Sequence, residues 1–379
     1  MKIWVIGRGY PTPANKMWGT FELEQAKLLA RGGHEVSYIA LTLSFFDRKD
    51  IRGLRAFTED GVAVHVYSHF YFPGKLGVYL EKFEDGCWRK LFAQAEKQSG
   101  LPDLIHVHYP SMITSINEIA ACQKRGVRIY ATEHWSRVLV NNLKKHERRR
   151  LQFYTAQASC FASVSPALEK AVRELAEVRV PTRIIPNIIS PLFFRAKAPA
   201  EKSGFTYICV GRLVPLKQFD AVIRAFQQEF PEDQSARLVL IGTGSDRQKL
   251  LAMAEGDSRI SLPGELPLEK VAEAIAAADV LVSFSRYETF AAPVAEAWAC
   301  GRPVIVSEQS GIAPYVTAEN GIVVSGERPE QLRRAMLSLR ENYGKYRPQQ
   351  ISDYAAAHFN DEAVLAQLNA MYGEQHEKS

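Results

Sequence analysis

Short apolar runs alternate along this chain with segments of helical spacing. Phe219, Val222, Ile223, Phe226 and Phe230 step by three and four residues, which predicts a helix with one buried stripe. Short strands separated by helices predict parallel sheets covered by helices on both faces. The predicted strands are Ile3–Ile6, Val36–Ile39, Val62–Tyr67, Leu104–Val107, Arg128–Ala131, Cys160–Val164, Phe205–Val210, Leu238–Ile241, Val280–Phe284, Pro303–Val306 and Ile322–Val324.

The length of 379 residues exceeds what one hydrophobic core normally supports, so two domains are expected. Pro191–Ser203 has no strand periodicity and is the predicted linker. The predicted organisation is an N-terminal domain over 1–190, a linker over 191–203, a C-terminal domain over 204–355, and a terminal helix over 356–379 that packs back on the first domain. Doubly wound sheets bind ligands beyond the carboxyl ends of their strands, where Gly7, His108, His134, Arg212, Gly242 and Glu288 all fall.

Composition limits the classes of protein that fit. A hydrophobic content of 46% is ordinary for a globular chain and excludes disorder as the main state. The five cysteines are odd in number and scattered, which indicates buried thiols in a reducing compartment. The opening apolar stretch is too short for a signal peptide and no segment has the length of a membrane span, so a cytoplasmic protein is expected.

Two glutamates eight positions apart mark the candidate site. The run Val280–Phe284 predicts a strand, and Pro293 suits the first turn of a helix, so Glu288 lies on the connecting loop and Glu296 on the helix. Free amides of the intervening residues would form an anion-accepting helix start. Carboxylates accept hydrogen bonds from sugar hydroxyls while amides face phosphate, so the arrangement suits a polyol that carries a diphosphate. The alternative is two solvated acids beside an ordinary helix.

The segment from Glu288 to Glu296, followed by Ala299-Cys300-Gly301-Arg302-Pro303-Val304-Ile305, resembles the retaining nucleotide-sugar glycosyltransferases of family four. Val210-Gly211-Arg212-Leu213-Val214-Pro215-Leu216-Lys217 matches the basic motif of that family, which implies Arg212 and Lys217 as diphosphate ligands. The resemblance implies the GT-B fold, in which two Rossmann-like doubly wound α/β domains face each other across a cleft. Solvated loop charges are the alternative interpretation of the basic pair.

The same resemblance implies further site residues. His134 is implied as a ligand of the donor sugar beside the reacting centre, with His108 and Ser165 as neighbouring candidates, although a lone histidine is often structural. Thr289 and Ala291 stand where the family commonly has glycine. The implied catalytic set is Glu288, His134, Arg212 and Lys217, and the implied donor-binding set is Gly19, Arg212, Lys217, Gly242, Glu265, Thr289, Phe290, Ala291 and Glu296.

The resemblance implies transfer of a hexosyl group with retention, in which Glu288 orients the donor sugar and Glu296 binds the ribose. The expected donor is a UDP-sugar or another nucleotide sugar, and the acceptor a saccharide or a lipid-linked saccharide of cell-surface glycan synthesis. No cofactor is expected. An absent Asp-x-Asp motif and an absent Cys/His cluster favour metal independence. Alternatives are a nucleotide-sugar epimerase or hydrolase, or a non-catalytic binding subunit of the same fold.

A basic run and several aromatic residues give the first domain a candidate membrane surface. Net charge is only +5, but Lys144–Arg150 concentrates cations, while Phe45, Phe46, Phe70–Lys75 and Tyr79 concentrate aromatics in loop-like segments. Together they predict docking on an anionic inner membrane leaflet. A solvated helix face and core aromatics are the alternatives. Nucleic acid is not an expected partner, because no recognition motif accompanies the basic run.

Overall fold

The computed structural model describes residues 1–12, 18–44, 53–70, 77–199, 204–325 and 328–373. The chain divides into two compact units, one formed by Met1–Ile188 with Leu365–Ser379 and the other by Ile189–Val364. Each unit is a sheet with helices around it, as the alternation of strands and helices predicts.

The first unit contains a sheet in the order β3-β4-β2-β1-β5-β6-β7-β8. Its centre is made of apolar strands such as β1, whose Trp4 is fully buried. The strands are β1 Lys2–Gly7, β2 Glu35–Ser44, β3 Gly53–Glu59, β4 Val62–Phe70, β5 Leu104–His108, β6 Arg128–Glu133, β7 Cys160–Ser163 and β8 Thr182–Ile184.

One strand pair departs from the parallel arrangement predicted from the sequence. β3 pairs antiparallel with β4, with Gly53 opposite Ser68 and Glu59 opposite Val62. A two-residue turn at Asp60 and Gly61 joins the strands, and both residues have positive φ, as tight hairpins require. The hairpin therefore forms the edge of an otherwise parallel sheet.

Helices follow most strands of the first unit. α1 starts immediately after Gly19, which has φ 79°, and Ser115 and Ser165 cap α3 and α6 through their hydroxyl oxygens. The helices are α1 Thr20–Arg31, α2 Gly77–Ser99, α3 Ile116–Lys124, α4 Ser136–Leu139, α5 Lys145–Gln157 and α6 Pro166–Leu175.

The second unit contains a parallel sheet in the order β11-β10-β9-β12-β13-β14. The chain order reverses at β9, so the loops after β9 and β12 lie side by side at the topological switch point, where such sheets bind ligands. The strands are β9 Phe205–Val210, β10 Ala236–Ile241, β11 Ile260–Gly264, β12 Val280–Ser283, β13 Val304–Ser307 and β14 Gly321–Val324.

The helix predicted from the stripe beginning at Phe219 is confirmed. Phe219, Val222, Ile223 and Phe226 are buried on it, and Phe230 is buried directly after its end. The helices of the second unit are α7 Pro191–Arg195, α8 Phe219–Glu229, α9 Arg247–Ala254, α10 Leu268–Ala277, α11 Ala292–Ala299, α12 Pro329–Glu341, α13 Pro348–Phe359 and α14 Asp361–Gly373, the last of which continues into the first unit at Leu365.

Two boundaries differ in detail from the predicted ones. Pro191–Arg195 begins the predicted linker but forms a helix of the second unit, because Ser190 caps it and Phe193 is buried. The terminal segment is two helices, broken at Asn360, and its part from Leu365 belongs to the first unit. All five cysteines are buried and none forms a disulfide.

Candidate functional site

Glycines bring the loops after β9 and β10 into close contact. A Cβ on Gly242, whose φ is 139°, would lie 1.9 Å from the carbonyl oxygen of Gly211, and one on Gly244 would lie 2.2 Å from that of Leu213. The Leu213 amide donates to the Thr243 carbonyl at 2.8 Å. Gly242 is thus needed for the packing of the loop that carries Arg212, and the predicted ligand contact is not required to explain it.

Lys217 and Glu288 meet at the switch point. Lys217 ends a short 3-10 helix, Pro215–Lys217, and its ammonium donates to Oε1 of Glu288. The Ser285 hydroxyl donates to the same oxygen at 2.9 Å. The two charged side chains are 15% and 16% exposed, so the pair is shielded but open on one side. Both charged residues were predicted from their motifs, whereas Ser285 was not.

The backbone holds Glu288 in place from two directions. Its amide donates to the Gln309 carbonyl at 3.3 Å, and its carbonyl accepts from the Gly311 amide at 2.9 Å. The Arg286 amide donates to the Leu216 carbonyl at 2.9 Å, which ties the Glu288 loop to the Lys217 turn. These backbone contacts fix the Glu288 loop at the carboxyl edge of the sheet.

The start of α11 presents unpaired amides. Within the described part of the chain, the N–H groups of Phe290, Ala291 and Ala292 donate to no acceptor. Ala291 has φ 72°, a left-handed conformation that costs an L-residue about 1–2 kcal/mol. The backbone here adopts the conformation that a glycine would adopt freely, and the unpaired amides are available to bind an anion.

Glu296 lies on the second turn of α11 and is half-buried. Its carboxylate has no hydrogen-bond or ion-pair partner among the described residues. Burial raises the pKa of this carboxyl from 4.5 to about 7. A carboxylate with this surrounding can accept hydrogen bonds from a diol, and ligand hydroxyls would offset the lost hydration.

The other predicted donor ligands differ in exposure. Arg212 and Glu265 are exposed, and Thr289 is half-buried on the Glu288 loop. The Phe290 side chain is buried against Phe359, with ring centroids 5.7 Å apart, so only its backbone can face a ligand. The structure therefore brings together Lys217, Glu288 and Ser285, and no contact joins Glu265 to them within the described residues.

His134 lies in the first unit, at the carboxyl end of β6. Its Nε2 lies 2.9 Å from Nδ1 of His108, and Asn187 hydrogen-bonds the ring. Burial, reinforced by the positive charge of Arg8, lowers the pKa of His134 to about 3. The imidazole is therefore neutral at physiological pH and acts as a hydrogen-bonding group.

His108 belongs to a buried polar chain. Gln25 lies 3.1 Å from Nε2 of His108, whose ring stacks on that of His106 at 4.5 Å. His106 in turn contacts the hydroxyls of Thr132 at 2.7 Å and Tyr372 at 2.5 Å. These hydrogen-bonded side chains hold the His134 ring in place, and His108 contributes by contacting that ring.

Two predicted residues of the first unit have packing roles. A Cβ on Gly19 would lie 2.1 Å from the Gly9 carbonyl oxygen and 2.9 Å from the Tyr38 hydroxyl, so its close approach is to its own chain. Ser165, predicted as a polar lining residue, accepts from the Leu168 amide at 3.2 Å as the cap of α6. Both positions are explained without a ligand.

The basic run on α5 is only partly exposed. Arg150 donates to Glu84 and to the Met112 carbonyl, each at 2.8 Å, and Arg148 donates to Asn141 at 2.9 Å. Lys144, Lys145 and Arg149 are exposed. Phe45, Phe46 and Tyr71–Lys75 lie outside the described residues, as do the side chains of Phe70 and Tyr79. Within the described part of the chain, no helix combines the length and apolar character that a transmembrane segment needs.

Comparison with known proteins agrees with this geometry. Residues 19–191 match the model of Glycosyltransferase Family 4, and residues 204–342 match that of Glycosyl transferases group 1. The chain is 32% identical over 356 residues to D-inositol 3-phosphate glycosyltransferase of Rhodococcus erythropolis, covering 84% of this chain and 77% of that protein. It is 25% identical over 311 residues to N-acetyl-alpha-D-glucosaminyl L-malate synthase of Bacillus anthracis, covering 79% and 77%.

A solved structure shares the fold. The crystal structure of Anabaena Alr3699/HepE in complex with UDP-glucose aligns with a TM-score of 0.70 at 17% sequence identity, over 98% of this chain and 99% of that one. The architecture is GT-B, with two α/β units whose sheets are parallel except for the β3–β4 edge of the first. The chain belongs to the family four, group 1 glycosyltransferases.

Proposed function

We propose that this glycosyltransferase transfers a hexosyl group, with retention and without a metal ion, from a UDP-sugar to a saccharide or lipid-linked acceptor of cell-surface glycan synthesis. The observation that carries the proposal is the cluster in the second unit, where Lys217, Ser285 and Glu288 lie on the loops beside the unpaired amides that begin α11. Cation, carboxylate and amides match the diphosphate and the hydroxyls of one nucleotide sugar.

Charge on the departing diphosphate is the main electrostatic demand of this reaction. Fixed cations and oriented amides stabilise developing charge in the transition state, typically by several kcal/mol. Lys217 and Arg212 are the proposed cations, and the start of α11 supplies the amides. These groups perform the role that a divalent ion has elsewhere, which supports metal independence as a proposal.

The two glutamates have different proposed roles because they occupy different elements. Glu288 is on the loop, already in contact with Lys217, and would accept from hydroxyls of the donor sugar. Glu296 is on α11 and would accept from the ribose hydroxyls. In the proposed step the leaving phosphate takes the acceptor proton while the acceptor oxygen attacks the same face of the anomeric carbon. UDP is the proposed nucleotide because family members often use it and a structure of similar fold binds UDP-glucose.

The acceptor is the least constrained substrate. The relatives are named for inositol 3-phosphate and L-malate, both of which carry anionic groups. We also retain a lipid-linked acceptor, delivered at an anionic membrane surface by the exposed Lys144, Lys145 and Arg149.

Nucleotide release from a panel of UDP- and GDP-sugars, measured with and without acceptor and with chelator, tests the proposal. Acceptor-stimulated release that persists in chelator supports metal-free transfer. Release without any acceptor indicates a hydrolase, sugar interconversion without release indicates an epimerase, and binding without turnover indicates a non-catalytic subunit. Any of these three results contradicts the proposal.

A further inference from the structure

Arg8 follows β1 at the carboxyl edge of the first unit's sheet and offers an unpaired cationic face. Its backbone amide donates to Oε1 of Glu22 on α1 at 3.3 Å, and its side-chain Nε lies 3.1 Å from the same oxygen as an ion pair that lacks hydrogen-bond geometry. The terminal nitrogens Nη1 and Nη2 contact no acceptor within the described part of the chain. A guanidinium donates five hydrogen bonds in a fixed plane, so Glu22 engages one side and leaves the fork open on the other.

Two aromatic rings hold this guanidinium in position. Its central carbon lies 4.4 Å from the ring centroid of Tyr109 and 5.0 Å from that of Trp18. The Arg8 side chain remains 18% exposed, enough for a ligand to reach it. A cation fixed by a carboxylate and two rings loses little further freedom on binding, which favours recognition of a planar or tetrahedral anion.

The carboxylate behind Arg8 is itself incompletely satisfied. Glu22 is fully buried, and its Oε2 has no hydrogen-bond partner among the described residues. Buried polar atoms are nearly always hydrogen-bonded, and an exception calls for a specific cause such as a bound water. The pair of Arg8 and Glu22 therefore has an open donor side on Arg8, while the second Glu22 oxygen is buried away from solvent.

The Tyr109 ring lies between Arg8 and His134, the predicted catalytic histidine. The Tyr109 ring stacks on that of His134 with centroids 4.8 Å apart, and Arg8 lies over Tyr109. An anion bound to Arg8 would place the rest of a small molecule beside His134.

We propose that Arg8 binds a carboxylate or phosphate of the acceptor, positioned by Glu22, Trp18 and Tyr109, so that the enzyme selects acceptors with an anionic group close to the reacting hydroxyl. This inference rests on the proposed transfer reaction and adds the chemical class of its acceptor. Arg8 is then a substrate-binding residue and Glu22 a positioning residue.

Substitutions separate charge from shape. Arg8→Lys keeps the charge and loses the fork. Arg8→Gln leaves Glu22 buried without its cation and can destabilise the unit, so the double variant Arg8→Gln/Glu22→Gln provides a neutral, hydrogen-bonded replacement. Arg125→Gln is the matched control, since Arg125 forms an ion pair with Glu96 at 2.5 Å elsewhere in the same unit.

The experiment is a fluorine NMR titration of protein labelled with 5-fluorotryptophan and saturated with UDP. The Trp18 resonance is assigned by its loss in Trp18→Phe. The probes are L-malate and inositol 3-phosphate, with neutral myo-inositol as the uncharged counterpart. Vesicles of phosphatidylcholine with and without phosphatidylinositol form a second arm, which distinguishes a lipid phosphate from a soluble anion.

We expect at least one anion to shift the Trp18 resonance, and its affinity to fall roughly ten- to a hundredfold in the double variant, less in Arg8→Lys, and not in Arg125→Gln. A response confined to phosphatidylinositol vesicles and lost in the same variants assigns the site to a lipid phosphate. Equal responses to myo-inositol, equal affinity in the double variant, or no response in any arm overturns the inference. If Arg8-dependent binding is found but no sugar is transferred from any donor, the proposed function fails while the anion site stands.

Discussion

Removing the Lys217 ammonium is the sharpest perturbation of the second unit's cluster. Lys217→Ala deletes one cation proposed to hold the diphosphate and, among the described residues, leaves the Glu288 carboxylate with only the Ser285 hydroxyl as a side-chain partner. Two effects follow with the same sign: the nucleotide loses a charge-assisted contact, and it meets an uncompensated negative charge.

The magnitude follows from the geometry. A hydrogen bond to a charged group contributes about 1.5–3 kcal/mol, and a fixed donor to the transition state about 2.7–4 kcal/mol. Lys217→Ala should therefore lower kcat/KM by roughly two to three orders of magnitude. The free energy of unfolding should fall by about 1–3 kcal/mol, because Glu288 is only 16% exposed and loses its cation.

A second variant also removes the charge of Glu288. In Lys217→Ala/Glu288→Gln the unpaired charge is gone, so UDP affinity should recover part of the loss while sugar transfer stays at least as low as in Lys217→Ala. Isothermal titration with UDP measures the first quantity, and nucleotide release from the preferred donor measures the second.

Lys249→Ala is the control, since Lys249 pairs with Asp220 at 2.8 Å on the exposed surface of the same unit. Near-normal turnover in Lys217→Ala, or a double variant that binds UDP no better than the single one, would contradict the proposed role of Lys217.

Three further expectations concern other positions. Glu296→Gln should have a free energy of unfolding up to about 3 kcal/mol above that of the wild type at pH 8, and no advantage below pH 4.5. The reason is that the Glu296 pKa is raised to about 7 in the folded state, so the wild type loses stability as the pH rises from 4.5 to 7. A difference between variant and wild type in urea denaturation that is the same at both pH values would contradict this. Ala291→Gly should retain activity and keep or raise stability by up to about 1 kcal/mol, since φ 72° suits glycine; a melting temperature lowered by several degrees would disprove it. Replacing Lys144, Lys145 and Arg149 by Ser should reduce salt-sensitive flotation with anionic vesicles, and an unchanged wild-type level would exclude this surface.

Sequence patterns locate the central strands of both units because those strands are continuous apolar runs. They fail at β3, whose residues are half-exposed or exposed along most of its length, so no apolar run marks it. β8 has three residues, too few for any periodicity. The antiparallel edge of the first sheet therefore becomes visible only in the structure.

Part of the candidate site is likewise predictable from the sequence, and part is not. Lys217, Glu288 and Glu296 fall in contiguous motifs whose spacing is informative. The pairing of Arg8 with Glu22 depends on how α1 packs against β1, and the raised pKa of Glu296 depends on its burial. Neither follows from local sequence, and the contact of Ser285 with Glu288 depends on the conformation of one loop.

Transfer of a sugar from a nucleotide donor with retention can be followed directly by proton NMR of the anomeric region during turnover. UDP-glucose, UDP-N-acetylglucosamine and GDP-mannose are each incubated with the acceptor mixture. We predict that one donor signal decays while a new anomeric signal with the donor's α configuration grows at the same rate. A product of inverted configuration, or decay into free sugar alone, would contradict the account.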